Sequence, residues 1–246
     1  NAVTILNNPE TGYPIAIMDG TAISAMRTGA VVGVGAKYLA REDAEVAGLI
    51  GSGVINRTQV MALNVALNLR EVMLFDIAPA KAYAFADEMG EQLGLDIEVV
   101  DSARAAVEDS DIIAPATNVG PDDRYIEAEW IRPGALLANL SVNDYTFGAV
   151  LACDKIVVDN IKQLNIPTAI LTDMVEAEVI DPADVIELGA IVNGKAAGRT
   201  SDDERIFLSP LGMGIEDLIN AHRVYHEARR RGIGQELELW HEPVWA

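Results

Sequence analysis

The chain has 246 residues, half of them hydrophobic, and its 18 Lys and Arg face 38 Asp and Glu for a formal net charge of −20. So acidic a chain has no electrostatic footprint for a phosphate backbone, and no run of five Lys or Arg supplies one locally, which argues against nucleic acid as a partner. The least charged stretch, from Gly20 to Ala36, is broken by Arg27 and several glycines, short of the roughly 20 apolar residues that a membrane span needs; single Cys153 has no internal disulfide partner, and no charged-then-apolar leader opens the chain, so the expected compartment is a reducing cytoplasm.

In chain order, residues 3–6 and 13–18 read as two β-runs joined by a turn-rich loop, Asn7-Asn8-Pro9-Glu10-Thr11-Gly12. A lone hairpin is marginal in water, so these strands are expected to belong to a sheet with further members upstream. Residues 21–40 have helical period, with Gly29, Ala30, Gly33, Gly35 and Ala36 as a stripe thin enough for close backbone approach. Strand and helix then alternate: strand 46–50, helix 54–69, strand 71–76, helix 78–93, strand 96–100, short helix 102–108, and strands at 111–116, 135–140 and 155–158. Such alternation implies right-handed crossovers and a parallel sheet covered on both faces, a doubly wound α/β fold. Beyond Pro167 the pattern weakens until a long amphipathic helix over 213–231, ended by Gly232, which is expected to pack back on the first segment. The expected division is 1–44 in a smaller domain, 45–206 in the α/β domain and 207–246 returning to the smaller one.

Gly48-Leu49-Ile50-Gly51-Ser52-Gly53-Val54-Ile55-Asn56 puts two glycines at the joint between strand 46–50 and the next helix. Gly51 permits a tight turn, Gly53 leaves room for a pyrophosphate against backbone amides, and the helix N-terminus adds partial positive charge. Asp76 closes the next strand 23 residues after Gly53, where a carboxylate accepts hydrogen bonds from a ribose hydroxyl, which favours NAD over NADP. The alternative is a merely structural glycine turn. Asn56 stands where a third small residue is commoner, which bears on how closely helix and strand can pack.

Arg27 interrupts an uncharged stretch, so it is a candidate to hold a substrate carboxylate with its guanidinium fork; the bland reading is an ion-paired or solvated Arg. Lys37, further along the same helix, is a second and less informative candidate. Ala116-Thr117-Asn118 and Leu140-Ser141-Val142-Asn143-Asp144 each follow the carboxyl end of an expected strand, where open parallel sheets bind ligands. Asp144 can orient or deprotonate a water or hold an ammonium group, or simply cap the helix that follows. No metal site is expected: His222 and His226 are four apart on a helix, with no third ligand placed. Cys153 has no nearby base and reads as a core residue, no Tyr precedes a Lys by four, and the acidic runs Asp122-Asp123 and Asp202-Asp203-Glu204 read as solvated loops.

Met18-Asp19-Gly20, Arg27-Thr28-Gly29-Ala30, Ala36-Lys37-Tyr38-Leu39-Ala40-Arg41, the glycine turn and Leu211-Gly212-Met213-Gly214-Ile215-Glu216-Asp217, in that order, resemble the ornithine cyclodeaminase and mu-crystallin family. Asn139 to Asp144, Val157-Val158-Asp159-Asn160 and Ile206 to Met213 are most similar to its branch that makes 2,3-diaminopropionate for siderophores and peptide antibiotics. The resemblance implies a homodimer with a Rossmann-like domain and a substrate and dimerisation domain built from both chain ends, an N-terminal part of about a hundred residues being apparently absent. It makes Arg27 a substrate-carboxylate ligand, Thr28 a phosphate contact, Gly51, Gly53, Val54 and Ile55 the pyrophosphate cradle, and Asp76 the ribose ligand. Thr117, Ser141, Val142, Met213 and Gly214 would line the rest of the cofactor site, and Asp144 matches the catalytic aspartate. The implied reaction is oxidation by NAD at the Cα–N bond of an amino acid or N-substituted amino acid, then water attack on the imine under the influence of Asp144. For the branch, that is oxidative hydrolysis of N-(2-amino-2-carboxyethyl)-L-glutamate to 2,3-diaminopropionate and 2-oxoglutarate. The alternatives are ornithine cyclodeaminase, amino-acid dehydrogenase or imine reductase, and a non-enzymatic crystallin-like binder.

Overall fold

In the computed structural model, which describes residues 1–238, the chain divides into two compact units: residues 25–213, and residues 1–24 together with the chain from Gly214 on. In the smaller unit, strands β1 (Val3–Asn7) and β2 (Pro14–Asp19) pair antiparallel as a two-stranded sheet, Ile5 opposite Ile17. Helix α8 (Gly214–Arg231) packs Ala221 and Tyr225 onto Leu6, Ala16, Met18 and Ile23, as the sequence led us to expect. The other hairpin face leaves Val3, Ile5 and Ile17 exposed.

The larger unit begins within helix α1 (Thr21–Leu39) and continues with β3 (Val46–Ile50), α2 (Val54–Ala66), β4 (Glu71–Phe75), α3 (Pro79–Leu93), β5 (Asp96–Val99), α4 (Ala103–Val107), β6 (Ile112–Pro115) and β7 (Leu136–Ala138). It ends with α5 (Phe147–Leu151), β8 (Lys155–Val158), α6 (Ile170–Glu176), β9 (Ile186–Glu187), α7 (Leu188–Val192) and β10 (Ile206–Ser209). The eight strands pair in parallel in the order β5-β4-β3-β6-β7-β10-β8-β9. The order in which strands are added reverses between β3 and β6, and such a switch point opens a crevice at the carboxyl ends of the strands. This is the doubly wound α/β fold that the strand–helix alternation predicts.

Alternation of side chains across the pleat builds two cores. Ile112, Ala114, Leu136, Ala138, Ile206 and Leu208 face one way, under α1, α2, α3 and α7, whereas Ile113, Leu137, Val158 and Phe207 face the other, under α4, α5 and α6. Both faces are buried, so the strands read as continuous apolar runs. The thin stripe on α1 has a mechanical reason: a Cβ on Gly29 would lie 2.3 Å from the backbone carbon of Thr58, and one on Gly33 2.9 Å from the Cβ of Ala62, so the two helices touch backbone to backbone there. Strands β9 and β10 and helices α5, α6 and α7 are additions to the expected elements, and β10 lies inside the sheet between β7 and β8.

Candidate active site at the sheet switch point

Strand β3 runs into the turn Gly51-Ser52-Gly53 and then into α2, and the two glycines differ physically. Gly51 sits at φ +93°, which side chains disfavour, and a Cβ there would meet the carbonyl oxygen of Ala116 at 2.9 Å, so the turn itself needs glycine. Gly53 is extended (φ −76°, ψ −179°), a conformation open to any residue, and a Cβ there would meet nothing within 4 Å. Neither backbone nor packing requires glycine at that place. Gly53 is also the N-cap of α2 and no side chain caps the helix, so the amides of its first turn are left without a side-chain acceptor at the favourable end of the helix dipole.

Asp76 follows β4 and reaches back to the turn. Its Oδ2 accepts from the Ser52 amide at 2.8 Å and the Ser52 hydroxyl at 2.6 Å, and its Oδ1 from the Ala78 amide at 2.8 Å. Burial pushes this carboxyl up, but the hydrogen bonds from Ser52 and Ala78 together outweigh it and hold it below the usual range, ionised with acceptor capacity left over.

Asn56 shows why a larger residue than usual fits the third position. Fully buried, it donates from Nδ2 to the carbonyls of Ile50 at 2.9 Å and Gly51 at 2.5 Å, and its Oδ1 accepts from Gln59 at 2.6 Å. Helix and strand are thus tied by hydrogen bonds where a smaller residue would only let them approach. Arg57 adds a bond to the Ser52 carbonyl at 2.6 Å and is itself held by Glu88 at 2.7 Å.

Across the switch point, Thr117 follows β6, with its methyl group 3.8 Å from where a Cβ on Gly51 would stand. Ser141, Val142 and Asp144 follow β7. Asp144 is completely buried, with Oδ1 accepting from the Thr117 hydroxyl and from the Tyr125 hydroxyl at 2.9 Å, and Oδ2 accepting from the Ser141 hydroxyl. Burial raises its pKa, and the Thr117 and Tyr125 hydrogen bonds only partly offset this. It does not cap α5; Thr146 does, accepting from the Ala149 amide at 3.3 Å. Val142 sits at φ +70°, which for a β-branched residue is strain of roughly 1–3 kcal/mol, and such strain clusters at functional sites. The loop that holds it is fastened on both sides. Asn143 accepts from Arg124 at 2.9 Å, and the Tyr145 hydroxyl donates to the Ile113 carbonyl at 2.8 Å.

Arg27, partly buried on α1, lies against Gly212: a Cβ on Gly212 would fall 2.0 Å from its Nη1. Thr28 is its neighbour. Lys37 is exposed on the last turn of α1, ten residues and so about 15 Å further along the helix, and is not brought to Arg27. Met213 closes the larger unit, and Gly214 opens α8 in the smaller one. Motif reading passed over Tyr125 and gave no role to Ser52 or Asn56. Tyr125 stands in a loop with no pattern around it, while Asn56 announced itself as a departure from the motif.

Other sequence candidates resolve as follows. Burial pushes the Cys153 thiol up to about 12, and it donates to the Ala149 carbonyl at 3.4 Å, as a core residue does. The ring nitrogens of His222 and His226 lie 3.0 Å apart, and among the described residues no group of three or more His, Cys, Asp or Glu is placed to hold a metal ion. Asp122, Asp123, Asp202 and Asp203 are exposed. Glu204 corrects the solvated-loop expectation: it takes Lys155 at 2.8 Å and the Thr200 amide at 2.7 Å, because β10 begins two residues later and fixes its backbone. No helix among the described residues is long and apolar enough to cross a membrane.

The model of the ornithine cyclodeaminase/mu-crystallin family matches residues 1–232. The chain belongs to that family. Among its relatives, N-((2S)-2-amino-2-carboxyethyl)-L-glutamate dehydrogenase of Staphylococcus aureus is 34% identical over 243 residues, covering 98% of this chain and 72% of that protein. The solved Δ(1)-pyrroline-2-carboxylate reductase of Thermococcus litoralis, in complex with NADH and L-proline, superposes with a TM-score of 0.90 at 38% identity, over 96% of this chain and 74% of that one. An archaeal alanine dehydrogenase dimer with bound NAD gives 0.87 at 30% identity, over 96% and 73%. Ornithine cyclodeaminase/mu-crystallin family membership accounts for the order of motifs from Met18 to Asp217 that the sequence displays.

Proposed function

We propose that this protein is an NAD-dependent oxidoreductase acting at the Cα–N bond of an amino acid or N-substituted amino acid, and that its substrate is N-(2-amino-2-carboxyethyl)-L-glutamate, released as 2,3-diaminopropionate and 2-oxoglutarate. The observation that carries the proposal is Gly53, a glycine that neither conformation nor packing demands, set over an uncapped helix N-terminus. Space and unpaired amides together fit a diphosphate. Similarity to the NADH-bound reductase and the NAD-bound dehydrogenase supports the same reading.

In this reading the amides of Gly53, Val54 and Ile55 bind the diphosphate, Thr28 adds a phosphate contact, and ionised Asp76 accepts a ribose hydroxyl at its remaining lone pair. Thr117, Ser141 and Val142 line the nicotinamide end. When bound, NAD supplies a hydride acceptor. Arg27 holds the substrate carboxylate, its guanidinium steadied against Gly212. Asp144 governs the proton traffic of imine hydrolysis. The larger unit carries the nucleotide and, through Arg27, the substrate carboxylate; the smaller serves dimerisation, with the exposed face of Val3, Ile5 and Ile17 covered by a second subunit.

Incubation with NAD and N-(2-amino-2-carboxyethyl)-L-glutamate is expected to raise the NADH absorbance in step with 2-oxoglutarate. No rise would refute the substrate assignment. Ammonia from ornithine without net NADH would indicate a cyclodeaminase, and NADH consumption by a cyclic imine a reductase. A biological activity untouched by Asp144→Asn would indicate a non-enzymatic binder.

A further inference from the structure

The carboxylate of Asp144 has no surface of its own. The residue is 0% exposed, and both oxygens are taken by hydroxyls from three separate segments: Thr117 after β6, Ser141 after β7, and Tyr125 in the loop between. A base so enclosed cannot touch a substrate or an attacking water. Whatever it exchanges passes through one of the three hydroxyls.

Geometry separates them. Tyr125 is fastened on the inner side, its backbone amide and that of Ile126 donating to the Asp144 carbonyl at 3.1 and 2.9 Å. Ser141 lies next to strained Val142 and has the Pro115 carbonyl as a second acceptor at 3.4 Å. All three residues are partly exposed, but Thr117 also borders the glycine turn, its methyl group 3.8 Å from where a Cβ on Gly51 would stand, so it links the carboxylate to that turn. We propose that Asp144 works through Thr117 as a two-group proton relay, with Tyr125 and Ser141 as positioning residues that hold the carboxylate.

The step balances without a further reagent. Hydride loss leaves the imine protonated; the water oxygen bonds to its carbon and the C=N electron pair withdraws to nitrogen, which becomes a neutral amine. The water's O–H proton passes to Thr117 Oγ1 while the proton already there passes to Asp144 Oδ1. Asp144 becomes neutral, a form its burial favours; the proton then returns by the same route to the nitrogen, and the C–N bond breaks with its electron pair leaving on the amine while the remaining hydroxyl proton passes to solvent as C=O forms. The titratable groups facing Asp144 are Tyr125 and Tyr145, both pushed above the usual tyrosine range, by burial first and then by the Asp144 charge, so both stay protonated through the working range. Hydrogen bonds to the carboxylate favour its ionised form, so removing one moves its titration upward.

This inference rests on the nucleotide and imine reading above, and the experiment separates the two. NADH binding is followed by fluorescence in the wild type, Thr117→Val, Thr117→Ser, Tyr125→Phe and Asp144→Asn, and kcat is measured at saturating cofactor from acid to alkaline pH. Thr117→Val is expected to bind NADH but lose roughly 10²-fold in kcat, with Asp144→Asn losing at least as much and the double variant little more than Asp144→Asn alone. Thr117→Ser should recover most of the loss. Tyr125→Phe should move the acid limb of the kcat profile up by about one pH unit, a shift that a purely structural defect does not produce. Full kcat in Thr117→Val beside an inactive Asp144→Asn would overturn the relay while leaving the nucleotide reading intact. Absence of NADH binding in the wild type would overturn that reading and the relay together.

Discussion

Replacing Asn56 by Ala tests whether the glycine turn is tied down by hydrogen bonds. Its amide nitrogen is the partner of the Gly51 carbonyl at 2.5 Å and a second donor, at 2.9 Å, to the Ile50 carbonyl. The latter also accepts from Ala116 in the sheet ladder and is not orphaned by the change. Gly51 O and Gln59 Nε2 do lose their partners, and Gln59 Oε1 already has none among the buried atoms of the structure. Each orphaned group costs about 1–3 kcal/mol, so the variant should lose roughly 2–6 kcal/mol. For a chain of this size that is a fall in Tm of about 4–24 °C, read by thermal unfolding followed by circular dichroism. Asn56→Asp should fare worse, because an ionised oxygen would then face two carbonyls. A Tm within about 2 °C of wild type for Asn56→Ala, a change of under 1 kcal/mol, would refute the reasoning.

Further outcomes follow from the packing and the charges. Gly29→Val forces a side chain into the backbone of α2 at 2.3 Å and should cost 3 kcal/mol or more on the order-of-magnitude scale of overpacking, seen as insoluble protein or a steep loss of Tm; a native Tm would show that α1 and α2 do not touch there. The Glu204 carboxyl is held at about 2 against an ordinary 4.5: burial raises it, but the hydrogen bonds from Lys155 and Thr200 dominate. Since the folded pKa is depressed, its stabilisation is fully present above about pH 4.5 and is lost as pH falls toward 2. Glu204→Gln should therefore lower Tm by several degrees at pH 7 and leave it nearly unchanged near pH 2; an equal loss at both would contradict the pair's role. Cys153, with its thiol at about 12, should resist alkylation at pH 8 in the native protein and react once unfolded; rapid native labelling would contradict its burial.

Strands such as Val46–Ile50 and Lys155–Val158 were legible to the residue, because a parallel sheet buried on both faces writes itself as short apolar runs bounded by turns. Ile206–Ser209 is such a run too, yet it escaped because it stands apart from any strand–helix repeat and enters the sheet between β7 and β8 by a long-range pairing that local pattern does not encode. That the glycine turn and Asp76 lie side by side could be read from spacing, since it depends on one turn and the strand beside it. The enclosure of Asp144 could not. Thr117, Tyr125 and Ser141 converge on one carboxylate from three segments, a pairing that no local pattern encodes. Asn56 looked like a weakness of the motif and is its fastening, a distinction that needs the hydrogen bonds rather than residue size.

The most direct test is a calorimetric titration of NADH into wild-type protein and Gly53→Val, each checked for Tm. Because a Cβ at position 53 meets nothing within 4 Å and the backbone there is open to any residue, the variant should lose only the roughly 1 kcal/mol of a poorer N-cap, a few degrees in Tm, while its affinity for NADH falls by roughly tenfold or more as the side chain occupies the space above the helix amides. Equal heats from the two proteins, or none from either, would contradict the claim that this turn is where the dinucleotide sits.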